Sequence, residues 1–251
     1  MLITCGCSFV WGDELKGCTE SPPTHWPQTF THHLAHSLGL EYRNISRPGN
    51  GNMKIFRDVV QYLDEHDDVT HMVVLWSDWG REEFAEALTP EEEDAYRLSR
   101  QICMSQVSSV RTSGVKFPLR YTVEDMYRQP EILYTHIVRG LTFMRTLKVI
   151  CDARKIKLVQ GVFHSMNWTT IMRFLQEKDP NWTDLQRWVK RTIDHLPPWQ
   201  KVGIQNFYSD MITFSNKNDY PRCIEGHPGP ECNENYAKLL HHIFKTTPWW
   251  E

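Results

Sequence analysis

The sequence lacks a long apolar run, because no stretch approaches the roughly 18 consecutive apolar residues of a membrane-spanning helix. It also lacks a basic segment followed by an apolar stretch and a cleavage site, which is the pattern of a secretory signal. Its seven cysteines are an odd number without the paired spacing of a disulfide framework. We therefore expect a cytoplasmic protein with reduced thiols and no membrane contact.

Positive charge is not in excess either. Lys and Arg total 28 against 31 for Asp and Glu, which gives a net charge of -3 and no general attraction to nucleic acid. Metal-binding motifs are scarce. Twelve His and a Cys5-x-Cys7 pair raise the question of a metal site, but there is no HExxH and no paired CxxC, and Cys223 and Cys232 lack zinc-knuckle spacing. A helix face is the favoured interpretation of His32, His33 and His36. We expect no metal, no cofactor and no nucleic-acid partner.

Aromatic residues are plentiful by contrast, with ten Trp, nine Tyr and eleven Phe. We expect most of them in the core, while surplus Trp suits a cleft that binds flat or sugar-like ligands. The 251 residues fit one large domain, 1–251, better than two small ones. Residues 81–129 are weakly patterned and longer than a usual connection, so we expect a cap or insertion that borders the cleft.

Short apolar runs alternate with segments of helical period along the chain. This alternation predicts an α/β fold, a three-layer α/β/α sandwich with a mostly parallel sheet. The predicted strands are Leu2–Cys5, Glu41–Ile45, His71–Trp76 and Ile156–Phe163, with a further short strand at Val202–Ile204. The predicted helices are His25–Leu38, Met53–His66, Ile132–Arg154, Trp168–Lys178, Trp182–His195 and a last helix near the C-terminus.

Functional groups in open parallel sheets gather at the carboxyl ends of the strands. The loops that qualify are GCSFVWG after the first strand, RPGNGN after the second, LWSDWGR after the third and EGHP before the last helix. Ser8 in the first loop is flanked by Gly6 and Gly12, so its backbone can turn sharply and expose the hydroxyl. Taken singly, a Ser in a glycine-rich turn is more often a cap residue and a His before Pro more often structural. Their order along the chain predicts one shared site.

In this order the loops resemble the sequence blocks of the SGNH or GDSL-like hydrolase superfamily. GCSFVWG resembles the first block, NISRPGNGN the second and EGHPGPECNENYAKLL the last, while HWPQTFTHHLAHSLG is similar to a WP-containing helix found in part of the superfamily. The resemblance implies a flavodoxin-like SGNH hydrolase fold. It also implies a serine hydrolase that cleaves an acetyl or short acyl ester of a small molecule or glycan.

The same resemblance implies the roles of individual residues. Ser8 would be the nucleophile, His227 the base and Glu225 the acid that orients it. The Gly49 and Ser8 backbone N–H groups would hold the oxyanion. We accordingly expect Ser8 and His227 within hydrogen-bonding reach of each other at the carboxyl edge of the sheet.

The sequence departs from the superfamily pattern in three blocks. Cys7 stands where Asp is usual, and Glu225 stands two residues before the histidine where Asp is usual. The third block is normally Gly-x-Asn-Asp, whereas LWSDWGR offers Ser77 and Asp78. We expect Ser77, or Asn52 from the second loop, to replace the missing asparagine donor of the oxyanion hole.

Other interpretations stay open. The altered third block is compatible with a non-catalytic SGNH-like binding module for a glycan or nucleotide. A Cys7 thiol is a lesser candidate nucleophile, and a small buried residue is the favoured interpretation. Asp78 and Glu225 as a paired-carboxylate site rank low. Basic residues on one helical face could meet a phosphate, but a solvated face is favoured; they are Arg187, Lys190 and Arg191.

Overall fold

The computed structural model describes residues 1–17, 26–77, 82–83, 101–102, 130–162, 175–176, 183–194, 211–224 and 226–249. Within these ranges the protein is an α/β fold with a four-stranded parallel sheet of order β2-β1-β3-β6. The sheet consists of β1 (Leu2–Cys5), β2 (Tyr42–Asn44), β3 (His71–Trp76) and β6 (Lys157–Val162). A short antiparallel pair, β4 (Glu82–Glu83) and β5 (Gln101–Ile102), forms a second sheet.

Helices accompany the parallel strands. The bounds of the helices predicted at 53–66, 132–154 and 182–195 lie within two residues of the observed ones, whereas the helix predicted from His25 begins at Phe30. The long helices are α2 (Phe30–Leu38), α3 (Asn52–Glu65), α4 (Pro130–Ala153), α5 (Thr183–Asp194) and α7 (Pro230–Thr246). Two shorter ones, α1 (Ser8–Trp11) and α6 (Met211–Lys217), were not predicted. A 3-10 turn at Trp26–Gln28 precedes α2.

The continuous apolar run of β3 is explained by burial on both faces, since successive side chains point to opposite sides of a strand. Met72 and Val74 pack in one core with residues of α3, α4 and α5. Val73 and Leu75 pack in a second core with residues of α2, α6 and α7. The predicted three-layer α/β/α arrangement is therefore confirmed, and the strand order matches the flavodoxin-like order over these four strands.

Residues at the helix ends explain where α2 and α7 begin and where α2 ends. The Thr29 side chain caps α2 by accepting a hydrogen bond from the His32 N–H at 3.5 Å. Gly39, with φ of 67°, ends that helix in the left-handed conformation that glycine adopts most readily. α7 carries Pro230 in its first turn, where the fixed φ of proline suits a helix start.

Several predictions fall on residues outside the described ranges. The predicted cap at 81–129 is outside them except for β4 and β5. The predicted strand at 202–204 and most of the predicted helix at 168–178 are outside them too. In the described part of the chain, no helix combines the length and the apolar character needed to cross a membrane.

Candidate active site

The turn that carries Ser8 joins β1 to α1 and has no room for a side chain at Gly6. A Cβ atom there would clash with Cγ2 of Val10 and lie 2.8 Å from the Leu75 carbonyl oxygen. Glycine is therefore required by the close approach of α1 to the neighbouring strand β3. Ser8 begins α1 directly after this turn, at the carboxyl edge of the sheet, and is 7% exposed.

His227 lies on a tight loop immediately before α7. The Cys223 N–H donates to the His227 carbonyl oxygen at 2.9 Å, and the Gly226 N–H donates to the Cys223 carbonyl oxygen at 3.0 Å. Gly226 has φ of 93°, a conformation that side chains rarely adopt. An antiparallel bridge between Arg222 and Pro228 closes the base of the loop. The imidazole is thus held on a short, well-bonded hairpin.

The loop brings the His227 ring between a hydroxyl and a carboxylate. Its Nε2 is 2.9 Å from Oγ of Ser8, and its Nδ1 is 2.6 Å from Oε2 of Glu14. The His227 backbone N–H donates to the same carboxylate oxygen at 3.1 Å. A carboxylate only accepts, so Nδ1 donates to Glu14, and the other ring nitrogen, Nε2, faces the serine hydroxyl. The predicted proximity of Ser8 and His227 is observed.

Glu14 lies in the short segment after α1, six residues beyond the serine. Its φ is 64°, in the left-handed region that non-glycine residues rarely occupy. Such conformations cost about 1–3 kcal/mol and persist at functional sites where neighbouring contacts impose them. The Glu14 N–H donates to the Asp13 carboxylate at 3.2 Å, and the next residue, Leu15, is buried at 2% exposure. Both contacts hold the segment in place while the Glu14 side chain reaches the imidazole.

The acid next to His227 in the described structure is not the one expected from the sequence. Glu225 was expected to orient His227, but Glu225 lies outside the described residues, so that expectation stays a prediction. The carboxylate that contacts Nδ1 of His227 is that of Glu14. The only signal for Glu14 in the sequence is an acidic residue shortly after the serine. Its partner is 213 positions away, which no local pattern reveals.

Buried asparagine amides bind the loop after β2 to the turn that carries Ser8. Nδ2 of Asn44 donates to the Val10 carbonyl oxygen of α1 at 2.7 Å. Nδ2 of Asn50 donates to the Gly6 carbonyl oxygen at 3.2 Å. Both asparagines are at most 8% exposed. Because buried hydrogen bonds are costly to lose, these contacts fix the serine relative to the loop that follows β2.

Three of the predicted oxyanion residues lie at the same edge of the sheet as Ser8, because they follow β2 and β3, the neighbours of β1. Gly49 occupies the turn after β2 with φ of 77°. Oδ1 of Asn52 accepts from the Ser77 N–H at 2.8 Å, and Nδ2 of Asn52 donates to the Ser77 carbonyl oxygen at 3.3 Å. The Asn52 amide therefore also holds the chain where it leaves β3. Asp78 lies outside the described residues.

Cysteine chemistry is disfavoured at this site. Cys7 is fully buried at the N-cap of α1, whereas the adjacent Ser8 makes the histidine contact. Burial also raises the pKa of the Cys5 thiol, so that thiol stays protonated and unreactive. In the described ranges, no group of three or more His, Cys, Asp or Glu side chains is arranged to hold a metal ion.

Three partly exposed aromatic residues are near Ser8 in sequence or in ring contact with one another or with His227. The Phe9 ring lies 4.9 Å from the His227 ring, centroid to centroid, at an interplanar angle of 41°. Trp11, which follows Ser8 by one helical turn, makes an edge contact with Trp26 at 5.8 Å. Phe9, Trp11 and Trp26 are all partly exposed, and Phe9 offers apolar surface directly beside the histidine.

The basic face of α5 is solvated as expected. Arg187 forms an ion pair with Asp184 at 3.1 Å, and both side chains are more than half exposed. Lys190 and Arg191 are exposed as well, while Val189 is buried against the core. The arrangement is that of an ordinary amphipathic helix.

No protein-family profile matches the chain, and no curated protein matches its sequence. Solved structures do resemble it. A protein assigned to the G-D-S-L lipolytic family, from Desulfitobacterium hafniense, is 9% identical with a TM-score of 0.45, over 96% of this chain and 98% of that one. A G-D-S-L lipolytic family member from Veillonella parvula is 10% identical with a TM-score of 0.45, over 98% of both chains.

A third structure is a carbohydrate esterase family 2 enzyme with a carbohydrate-binding domain, from Corynascus thermopiles. It is 13% identical with a TM-score of 0.47, over 96% of this chain and 64% of that one. These neighbours are lipolytic and carbohydrate-esterase proteins, the class that the sequence motifs resemble. The likeness is one of fold, and the chemistry of this chain follows from its own side chains.

Proposed function

We propose that this protein is a serine hydrolase that cleaves an ester through Ser8, His227 and Glu14. The observation that carries the proposal is the unbroken series of contacts from the serine hydroxyl through both ring nitrogens to a carboxylate. A serine hydroxyl is a weak nucleophile until an adjacent base takes its proton, and a histidine works best as that base when a third group fixes its tautomer. Ser8 supplies the hydroxyl, His227 the base and Glu14 the group that fixes the tautomer.

The reaction follows from these contacts. Oγ of Ser8 attacks the ester carbonyl carbon while its proton moves to Nε2 of His227, and the Glu14 carboxylate stabilises the imidazolium that forms. The imidazolium then protonates the leaving alcohol as the C–O bond breaks, which leaves an acyl-serine. Water, deprotonated by the same ring nitrogen, attacks the acyl carbon. The acyl C–Oγ bond then breaks, the imidazolium returns its proton to Oγ of Ser8, and the carboxylic acid leaves.

The oxyanion hole is proposed from two backbone donors and one side-chain donor. Ser8 is the first residue of α1, and the first N–H groups of a helix have no intrahelical acceptor, so this N–H is available to a substrate oxygen. The Gly49 N–H supplies the second donor. Because the Ser77 N–H donates to Oδ1 of Asn52, the third donor is the Ser77 hydroxyl or the side-chain amide of Asn52. One such donor contributes about 100- to 1,000-fold in rate, so an altered third block reduces activity without abolishing it.

The substrate proposed from the motif resemblance is an acetyl or short acyl ester of a small molecule or glycan. The partly exposed rings of Phe9, Trp11 and Trp26 support it, because aromatic faces pack well against flat apolar or sugar-like groups. A cytoplasmic location and the absence of nucleic-acid partners stay predictions from composition.

Hydrolysis of a chromogenic acetate ester tests the proposal. Wild-type protein should turn the ester over, and Ser8→Ala should remove that turnover while the protein stays folded. Ser37→Ala is the matched control, since Ser37 only donates to the Leu34 carbonyl oxygen at 2.8 Å within α2. Undiminished hydrolysis by Ser8→Ala would assign the activity elsewhere.

A non-catalytic binding module is the second candidate, favoured by the altered third block. It predicts that wild-type protein and Ser8→Ala bind a glycan or nucleotide with equal affinity and that neither hydrolyses an ester. Calorimetric titration of both proteins alongside the kinetic assay separates the two functions.

A further inference from the structure

Asn233, in the first turn of α7, joins segments that lie far apart in the chain. Its side chain is almost completely buried, and the residue is 1% exposed. Its Nδ2 donates to the Pro228 carbonyl oxygen at 3.1 Å and to the Gly229 carbonyl oxygen at 3.0 Å. Its Oδ1 accepts from the Phe30 N–H at 3.0 Å. The partners fix the orientation of the amide, because carbonyl groups only accept and a backbone N–H only donates.

The contact with Phe30 is a long-range helix cap. Phe30 is the first residue of α2, and its N–H is one of the donors that a helix leaves without an intrahelical acceptor. Such a donor is usually bonded by a neighbouring side chain, whereas Asn233 is 203 positions away. The ring of Phe30 also packs edge-on against Tyr236, one turn further along α7, at 5.5 Å. Asn233 therefore locks the start of α2 to the start of α7.

The contacts with the carbonyl groups act on the histidine loop. Pro228 and Gly229 are the two residues that directly follow His227. A Cβ atom at Gly229 would lie 2.7 Å from the Pro221 carbonyl oxygen, so the two arms of the loop already touch. The loop has little freedom of its own, and the bonds from Asn233 set where it lies relative to α2.

We propose that Asn233 is a positioning residue that holds His227 within reach of Ser8 through the main chain of Pro228 and Gly229. This inference rests on the proposed function. It adds a residue that touches neither substrate nor the reacting atoms. A purely structural cap of α2 would affect folding stability alone, whereas a positioning residue affects kcat in protein that is fully folded.

Asn233→Asp separates these two roles. An aspartate is nearly the same size and still accepts from the Phe30 N–H, so the cap of α2 is kept. It has no N–H to donate, so both bonds to the histidine loop are lost and its charge repels the two carbonyl oxygens.

Two controls in the same helix accompany the variant. Asn235→Asp alters a partly exposed asparagine whose Nδ2 only donates to the Glu231 carbonyl oxygen at 3.0 Å. Leu240→Ala removes a core side chain that is 2% exposed, so it lowers stability without touching the loop.

Kinetics on the chromogenic acetate ester, measured where every variant is folded, give the first readout. Asn233→Asp should lower kcat by about 10- to 100-fold with little change in KM, because small misplacements of a catalytic group have effects of this size. Both controls should keep the wild-type kcat. A wild-type kcat in Asn233→Asp, or an equal loss in Leu240→Ala, would overturn the positioning role.

The second readout does not depend on turnover. Two-bond ¹H–¹⁵N spectra of ¹⁵N-histidine-labelled protein report the tautomer and hydrogen bonding of the His227 ring, and His227→Gln identifies its signals. Asn233→Asp should shift these ring signals, and both controls should leave them in place. Unshifted signals in Asn233→Asp contradict the inference. A wild-type protein that hydrolyses no ester contradicts the proposed function alone, since the spectra still decide the role of Asn233.

Discussion

Replacing Glu14 by glutamine should lower kcat strongly while leaving the fold intact. The Glu14 carboxylate is 2.6 Å from Nδ1 of His227, and both side chains are 15% exposed, so the pair is largely shielded from water. Glutamine has the same shape and can still accept a hydrogen bond, but it carries no charge to stabilise the imidazolium. It can also present its NH₂ group to the ring and favour the wrong tautomer.

The size of the effect follows from the geometry of the pair. Opposite unit charges about 4 Å apart interact by about 4 kcal/mol at an effective dielectric constant of about 20, which corresponds to a rate factor of about 1,000. Loss of tautomer control adds to this, and neutralising the acid of a serine triad costs about 10,000-fold in kcat. We therefore expect a loss of about 1,000- to 10,000-fold in kcat, with KM nearly unchanged because the carboxylate acts on the developing charge.

Steady-state kinetics on the chromogenic acetate ester measure this loss, and Glu225→Gln is the matched control. It removes the other acid close to His227 in sequence and should keep kcat within about twofold of wild type. The reasoning is refuted if Glu14→Gln retains wild-type turnover. An equal loss in Glu225→Gln would show that the acid near His227 in sequence also takes part.

Gly6→Ala should lower the melting temperature and displace Ser8, because its Cβ would lie 2.8 Å from the Leu75 carbonyl oxygen, at a cost of about 1–3 kcal/mol. Gly39→Ala is the control, because a Cβ atom at Gly39 would meet nothing within 4 Å and only the φ of 67° makes the substitution unfavourable. This variant should lower stability but keep the wild-type kcat. Equal kcat values in Gly6→Ala and Gly39→Ala would contradict the role of Gly6. For His71, burial and then the charge of Lys157 lower the pKa from 6.5 to about 4, so the folded state disfavours protonation and stability falls as the pH drops from about 6.5 to about 4. Because His71 is partly exposed, we expect about 1–2 kcal/mol of this loss to disappear in His71→Gln. Urea unfolding at pH 7 and pH 4.5 measures the difference, and identical pH dependence in the two proteins would refute it.

The sheet and its covering helices could be predicted because their signals are local and repeated. The buried strand at 71–76 reads as a continuous apolar run, and α2 ends at Gly39 as its sequence indicates. The short helices α1 and α6 were missed because four and seven residues carry too few periods of an apolar pattern. Ser8 was therefore expected on a turn, whereas it begins a helix.

The site could be predicted only where its residues belong to short sequence motifs. Ser8 and His227 do, and they meet at 2.9 Å. Glu14 does not, because its contact depends on a left-handed backbone conformation and on a fold that brings the ends of the chain together. The hydrogen bond between Asn52 and Ser77 could not be predicted either, because Ser77 follows a different strand.

One consequence of this arrangement is that Ser8 and Glu14, the proposed nucleophile and acid, lie in one short segment. Ser8 and Glu14 stand six residues apart, on either side of Gly12, whose φ of 85° ends α1. The histidine alone arrives from the far end of the chain. Disturbing the loop before α7 therefore displaces the base while the serine and the carboxylate keep their places.

Covalent labelling by a fluorophosphonate tests the central claim most directly, because such a probe reacts with an activated serine. The account predicts a mass increase of one phosphonyl group, mapped by peptide mass spectrometry to Ser8, with slow labelling in His227→Gln and none in Ser8→Ala. Labelling of Ser8→Ala at the wild-type rate, or a wild-type protein that is never labelled, would contradict it.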